Sequence, residues 1–200
     1  MNVKHPFILL LVRHGMTEWS ATGQHTGLSD IPLTQEGRLQ AEQAGLALNS
    51  LLHGKHVALY TSPLSRATTT AALLNIGEAT QLHDAHEWNY GSYEGRTTHE
   101  IQEERPGWNI WDSGVPEGES IEEVGARADR IIATIQQGSF PAVLVAHGHF
   151  LRILASRWVG QEPRVGRHLV LDTASISTLG FERDVPAILV WNSTAHLNHS

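Results

Sequence analysis

PFILLLVRHGMTEW, Pro6 to Trp19, is the stretch on which the fold turns. Its apolar run, Phe7 to Val12, stops abruptly on an arginine, a histidine and a glycine. An unbroken apolar run of this length, bounded by Pro6 and Gly15, suits a strand buried on both faces, as in a parallel sheet; periodicity alone leaves a buried helix open. Read as a strand, it delivers Arg13 and His14 to its carboxyl end. In open α/β sheets ligands bind in the crevice at that edge, so both residues are candidates for chemistry.

The same pattern returns twice. VALY, Val57 to Tyr60, reads as a short strand and runs into TSPLSRATTTAALL, where Pro63 suits the first turn of a helix and Arg66 falls early in it. AVLVAHGHFLRILASRWVG gives a third strand, Ala142 to Ala146, then a turn at His147 to His149 and a helix ending near Gly160. Between these units a Gly- and Thr-containing loop, Ser20 to Pro32, leads into LTQEGRLQAEQAGLALNSLL, a helix with Thr34 as N-cap and Glu36 in its first turn. Ser120 and Glu123 form a capping box ahead of a helix whose apolar positions Ile121, Val124, Ala128, Ile131, Ile132 and Ile135 recur at helical spacing. Strand, polar turn and helix in succession predict right-handed crossovers and therefore an α/β fold: a three-layer sandwich, mainly parallel in its sheet, with helices on both faces. Residues 1–200 read as a single domain. SISTLGF and PAILVWN read as further strands, their order and direction open.

Composition narrows the partners. A net charge of −7 and the lack of any Lys or Arg run argue against nucleic acid, although a local basic pocket stays open. There is no cysteine, hence no disulfide framework and no thiolate chemistry, which fits the cytoplasm. The opening apolar run is too short for a transmembrane helix and poorly built for a signal peptide despite Lys4, so no membrane partner is expected. A homodimer is left open.

Three strand ends thus present Arg13, His14 and Gly15, then Ser62 to Arg66, then His147 to His149. Any one such residue alone is more often a structural hydrogen-bonder. As a set they point elsewhere, because arginines bind a phosphoryl group through planar, charge-assisted donors and a neutral imidazole beside them can attack phosphorus. Nearby arginines also disfavour the imidazolium form.

LVRHGMTEW, HTGLSDIPLTQEG, SPLSRATTTA, EWNYGSYEG, PEGES and AHGHFLR occur in this order, and together they resemble the histidine phosphatase superfamily, in the branch that contains phosphoglycerate mutases. Within that branch, EWNYGSYEG, WNIW and HGHF are most similar to broad-specificity acid phosphatases and sedoheptulose-bisphosphatase-like enzymes. The resemblance implies a phosphatase that hydrolyses small phosphomonoesters, sugar phosphates or phosphorylated acids, without a cofactor or metal. His14 would take the phosphoryl group, Arg13, Arg66 and His147 would surround it, and Glu87 would serve as general acid. Ser20, Thr26, Gly27, Tyr90, Gly148 and His149 fall at substrate-contacting places. Trp88 and Tyr90 are as well read as an aromatic wall, Trp19, Trp108 and Trp111 as packing, and Glu94 and Gly95 as a turn.

Departures from the mutases favour hydrolysis. Ser20 stands where they carry Asn, Thr98 where a substrate-binding lysine is expected, and the segment from Arg96 to Ser120 lacks their adjacent arginine pair. Mutase-type transfer is the alternative. A metal-dependent hydrolase is suggested by thirteen histidines, including the pairs His53 and His56, His83 and His86, and His196 and His199, none with a nearby third ligand. A non-catalytic phospho-ligand module would need neither the nucleophile nor the acid.

Overall fold

The computed structural model describes residues 8–138 and 141–197; Lys4, Pro6, Phe7 and His199 lie outside them. Six strands, β1 (Leu9–Arg13), β2 (Ala58–Thr61), β3 (Ala79–Gln81), β4 (Ala142–Ala146), β5 (Ile176–Glu182) and β6 (Val185–Ser193), form one sheet in the order β3-β2-β4-β1-β5-β6. The first four are parallel neighbours; β5 and β6 continue the sheet antiparallel. The helices are α1 (Glu18–Thr22), α2 (Gln35–Leu52), α3 (Ser65–Leu73), α4 (Thr98–Glu104), α5 (Ile110–Ser113), α6 (Ile121–Gln136) and α7 (Gly148–Trp158). None is long and apolar enough to cross a membrane.

The continuous apolar run of β1 is explained by its two buried faces. Leu9 and Leu11 belong to a cluster with residues of α6 and α7, including Val124, Ile135, Phe150 and Leu154. Leu10 and Val12 point the other way, toward Ala44 and Leu48 of α2 and Ala67 and Ala71 of α3. Alternate residues of one strand therefore feed two cores, and no polar position survives until Arg13.

Capping agrees with the sequence at α2, where Thr34 accepts from Gly37 N, and at α6, where Ser120 and Glu123 close the box reciprocally. Pro63 does not start α3. That helix begins at Ser65 with Leu64 as its N-cap, because Ser62 Oγ takes the Leu64 N–H and Asp30 Oδ1 takes the Ser65 N–H. The expected loop from Ser20 to Pro32 begins inside the five-residue α1, whose capping box pairs Thr17 with Ser20.

Two glycines let α2 touch the segment after His14. A Cβ on Gly15 would collide with Gly37 O, and one on Gly37 with Met16 O. The contact is tied by Thr34 N to Met16 O at 2.9 Å and by Met16 N to Gln40 Oε1 at 3.0 Å. Gly37→Ala should therefore destabilise the protein by about 1–3 kcal/mol through overpacking. Thermal unfolding checks this as a loss of about 2–4 °C per kcal/mol.

Candidate active site

Strand register builds the site. Arg13 lies opposite Ala146 and Thr61 opposite Val145, so the three carboxyl ends finish level and His14, Ser62 and His147 become neighbours. The ladder extends one step past the strands, with His14 N donating to Ala146 O (2.9 Å) and Ser62 N to Val145 O (3.0 Å). Above this edge opens a cavity of about 190 Å³.

Its lining brings together Arg13, His14, Ser20, Thr26, Glu87, Tyr90, Gly148 and His149. Arg66, His147 and Gly27 lie behind it. Arg66, fully buried, donates its Nε–H to His147 Nδ1 (3.2 Å), Nη1 to Ser29 O (2.8 Å) and Nη2 to Thr26 O (3.1 Å) and Gly27 O (2.8 Å). With Nδ1 accepting, His147 carries its proton on Nε2, 2.7 Å from Ser62 Oγ. Gly27 N and Ser29 N in turn donate to Glu94 Oε1 (2.8 and 3.0 Å), so Glu94 and Arg66 grip one loop from opposite sides. A Cβ on Gly27 would strike Trp88 O, which is why that place admits only glycine.

His14 sits 5.2 Å from His147, ring centroid to ring centroid. Its Nδ1 lies 2.8 Å from Gly15 O, an acceptor only, so Nδ1 bears the proton and Nε2 keeps the lone pair. Burial, then the charges of Arg66 and Arg13, hold this imidazole well below its ordinary range. Arg13 gives Nη1 to Leu171 O at 2.6 Å, and its buried Nε has no hydrogen-bond partner among the described residues. Ser20 faces the cavity with its hydroxyl committed to Thr17.

Glu87, 4% exposed, accepts from Trp88 N (2.9 Å) and Phe150 N (2.8 Å) at Oε1 and from His149 N (3.0 Å) at Oε2. Its carboxyl is thus fixed at the N-terminus of α7, with an Oε2 lone pair left over. Tyr90 OH is 2.6 Å from His149 Nδ1. Burial and the charges of Glu87 and Glu94 hold the Tyr90 pKa well above 10, so the phenol stays protonated and donates, which leaves the His149 proton on Nε2.

Gln24, His25, Arg152 and Leu171 also line the cavity, beyond the sequence reading. Arg152 lies 4.6 Å above the Trp111 ring and donates Nε to Gly166 O and Nη2 to Arg167 O, both at 3.0 Å. Its hydrogen-bond partners are carbonyls, so no carboxylate among the described residues neutralises it by direct contact. Arg152 follows His149 by three residues on one helix, a spacing that puts both on one face. His25 precedes Thr26, and Thr98 Oγ1 lies 3.2 Å from its Nε2. Trp88 is fully buried, Trp108 and Trp111 nearly so. Among the described residues no group of three or more His, Cys, Asp or Glu could hold a metal ion.

This sheet edge, with a neutral histidine between arginines and a carboxyl on a helix end, belongs to a known class. The sequence matches the histidine phosphatase superfamily (branch 1) over residues 9–194, and the chain is a member of that family. Over 192 residues it is 42% identical to an acid phosphatase of Mycobacterium tuberculosis, covering 94% of this chain and 93% of the relative. A sedoheptulose 1,7-bisphosphatase of Saccharomyces cerevisiae is 38% identical, covering 76% of this chain and 67% of its own. The solved phosphoserine phosphatase of Entamoeba histolytica, in complex with 3-phosphoglyceric acid, superposes with a TM-score of 0.82 at 27% identity, covering 96% of this chain and 99% of that one.

The buried rings have a consequence for stability. His147 and His149 are, like His14, held well below their ordinary pKa, and burial lowers His25 to about 4. Below about pH 6.5 the unfolded chain protonates these rings while the native state does not, so stability falls as pH falls. The slope is up to about 1.4 kcal/mol per pH unit for each ring. Melting temperatures measured from pH 7 to pH 5 should drop, and less steeply in His149→Gln.

Proposed function

We propose that the protein is a metal-independent phosphatase of small phosphorylated metabolites, working through a phosphohistidine on His14. The observation that carries this reading is the pairing of an unpartnered, buried Arg13 Nε with a neutral His14 whose Nε2 lone pair is free at the same cavity. A phosphoryl dianion satisfies the first and is attacked by the second.

In the first step the His14 Nε2 pair forms a bond to phosphorus, the ester P–O bond breaks, and its electrons leave with the alkoxide, which takes the proton from Glu87 Oε2. In the second, Glu87 as carboxylate takes a proton from water, the water oxygen bonds to phosphorus, and the N–P pair returns to His14. Arg13 stabilises charge on the transferring oxygens, and Arg66 adds its positive charge from behind the cavity.

Arg152 refines the substrate class. A flat guanidinium held by Trp111 and two carbonyls, free of a direct carboxylate partner, suits a second anionic group on the far side of the leaving oxygen. Sugar bisphosphates and phosphorylated acids have that shape, and both are in keeping with the relatives' names. Thr98 brings no charge toward such a group, which favours release of inorganic phosphate over mutase-type transfer. A cysteine-free chain of this kind is in keeping with the cytoplasm.

Acid-quenched turnover of labelled substrate should trap a base-stable phosphoramidate on His14, lost with nearly all activity in His14→Ala. Activity should persist in EDTA, and 3-phosphoglycerate with its bisphosphate primer should yield phosphate faster than 2-phosphoglycerate.

Arg152→Ala should lower kcat/KM by about 10- to 100-fold for substrates with a second anionic group, the value of a charge-assisted hydrogen bond. For p-nitrophenyl phosphate, which lacks that group, the change should be small. Equal losses on both would remove Arg152 from the substrate reading.

A further inference from the structure

Glu87 stands on a segment without regular structure, between the 3₁₀ turns His83–Ala85 and Gly91–Tyr93. A proton donor must nevertheless be placed within a fraction of an ångström, since a misplacement of about 1 Å can cost about 10²-fold in rate. Three main-chain N–H groups hold the carboxyl, but something must also hold the backbone that carries it.

That work falls to an ion pair the chemistry above does not use, buried at its arginine and half-buried at its carboxylate. Arg127 of α6, 5% exposed, binds Glu119 bidentately, Nε to Oε1 at 2.8 Å and Nη2 to Oε2 at 2.9 Å. Its remaining reach goes to the Glu87 segment: Nη1 donates to Asp84 O (2.5 Å) and His86 O (3.0 Å), and Nη2 stands 3.5 Å from Glu87 O. Glu119 holds the other end of the same segment. Its Oε2 accepts from Asn89 N (3.0 Å), its carbonyl from Trp88 Nε1 (2.8 Å), and its own N–H donates to Asn89 O (3.0 Å). The Arg127 guanidinium also lies 5.1 Å above the ring of Phe150, whose N–H is one of the three on the Glu87 carboxyl.

A buried ion pair adds little net stability, because desolvation offsets its attraction. What it supplies is direction. Here its bonds run to residues 84, 86 and 89, on both sides of 87. We propose that Arg127 and Glu119 are positioning residues that hold Glu87 in register with the leaving oxygen, so that their removal impairs proton donation rather than phosphoryl capture. The inference rests on the reading of Glu87 as general acid.

The test is single-turnover release of alcohol from two esters, in wild type, Arg127→Lys, Glu119→Gln and Glu87→Gln. Glycerol 2-phosphate expels a basic alkoxide that needs the acid; p-nitrophenyl phosphate expels a weakly basic phenolate that hardly does. Arg127→Lys and Glu119→Gln should slow release from glycerol 2-phosphate by about 10²-fold, a loss at least about tenfold larger than on p-nitrophenyl phosphate, with little change in KM. In the Glu87→Gln background Arg127→Lys should add almost nothing, because it acts through the absent acid. Equal losses on both esters, or losses that multiply with that of Glu87→Gln, would overturn the inference while leaving the acid assignment intact. A Glu87→Gln enzyme that releases glycerol at the wild-type rate would instead overturn the acid assignment itself, and the inference with it. Arg127→Lys keeps the charge and Glu119→Gln the bulk, and rates are compared per folded molecule, with the folded fraction of each variant read from its thermal unfolding curve.

Discussion

Arg13 lies opposite Ala146, and Thr61 opposite Val145, in three parallel strands that finish on one level. From this register the rest follows. A slip of one residue in β1 would turn Leu9 and Leu11 onto the face now filled by Leu10 and Val12, and would carry His14 away from His147. The register is therefore fixed by both cores at once, and the apolar packing that makes β1 a strand also sets the position of His14. Gly15 and Gly37 extend the same constraint outward, since only their bare backbones allow α2 to lie against the segment that follows His14.

Among the described residues no carboxylate touches the arginines of this edge directly, although Glu87 acts on all three through space. Arg13, Arg66 and Arg152 bond to main-chain carbonyls or to a neutral imidazole, and the nearest acid, Glu87, spends three lone pairs on backbone N–H groups. Carbonyls orient a guanidinium but leave its charge in place, so the cavity stays positive in a chain whose net charge is −7. The same field, added to burial, keeps His14 neutral and its Nε2 pair available. Arg127, by contrast, has its carboxylate in direct contact, in Glu119. Arg13 and Arg152 line the cavity and Arg66 stands behind it, whereas Arg127 is paired with Glu119 in the scaffold.

The parallel strands, the main helices and the set of residues at the strand ends were legible because each has a local cause: a two-faced apolar run, a cap, a polar trio after a strand. Arg152 was visible as a letter but not as a wall of the cavity, since its orientation depends on Trp111 and on carbonyls of residues 166 and 167. The sequence motifs group Arg66, His147 and Gly27 with the lining, yet the bonds of Arg66 to His147 and to the carbonyls of loop 26–29 set them one layer back. The three-residue β3 and the short helices α4 and α5 carry too little periodicity to read, although Thr97 and Glu100 do spell a capping box at α4. Pro63 misled because side-chain bonds from Ser62 and Asp30, one of them across thirty-five positions of sequence, decide where α3 begins.

The two ends of the cavity are built from different parts of the chain. Strand ends and the N-terminus of α7 supply Arg13, His14 and the bed for Glu87, all pinned by the sheet. The opposite wall comes from His25, Tyr90, His149 and Arg152, packed against Trp111 and Trp108 of the segment before α6. His149 belongs to both walls, its N–H on Glu87 and its ring on Tyr90. Under the proposed function, changes to the aromatic segment would alter what the leaving group must look like without moving the phosphorus chemistry, provided the 84–89 backbone that links the two walls stays fixed. That backbone has no sheet to hold it, and the Arg127–Glu119 pair stands where a strand would otherwise be needed.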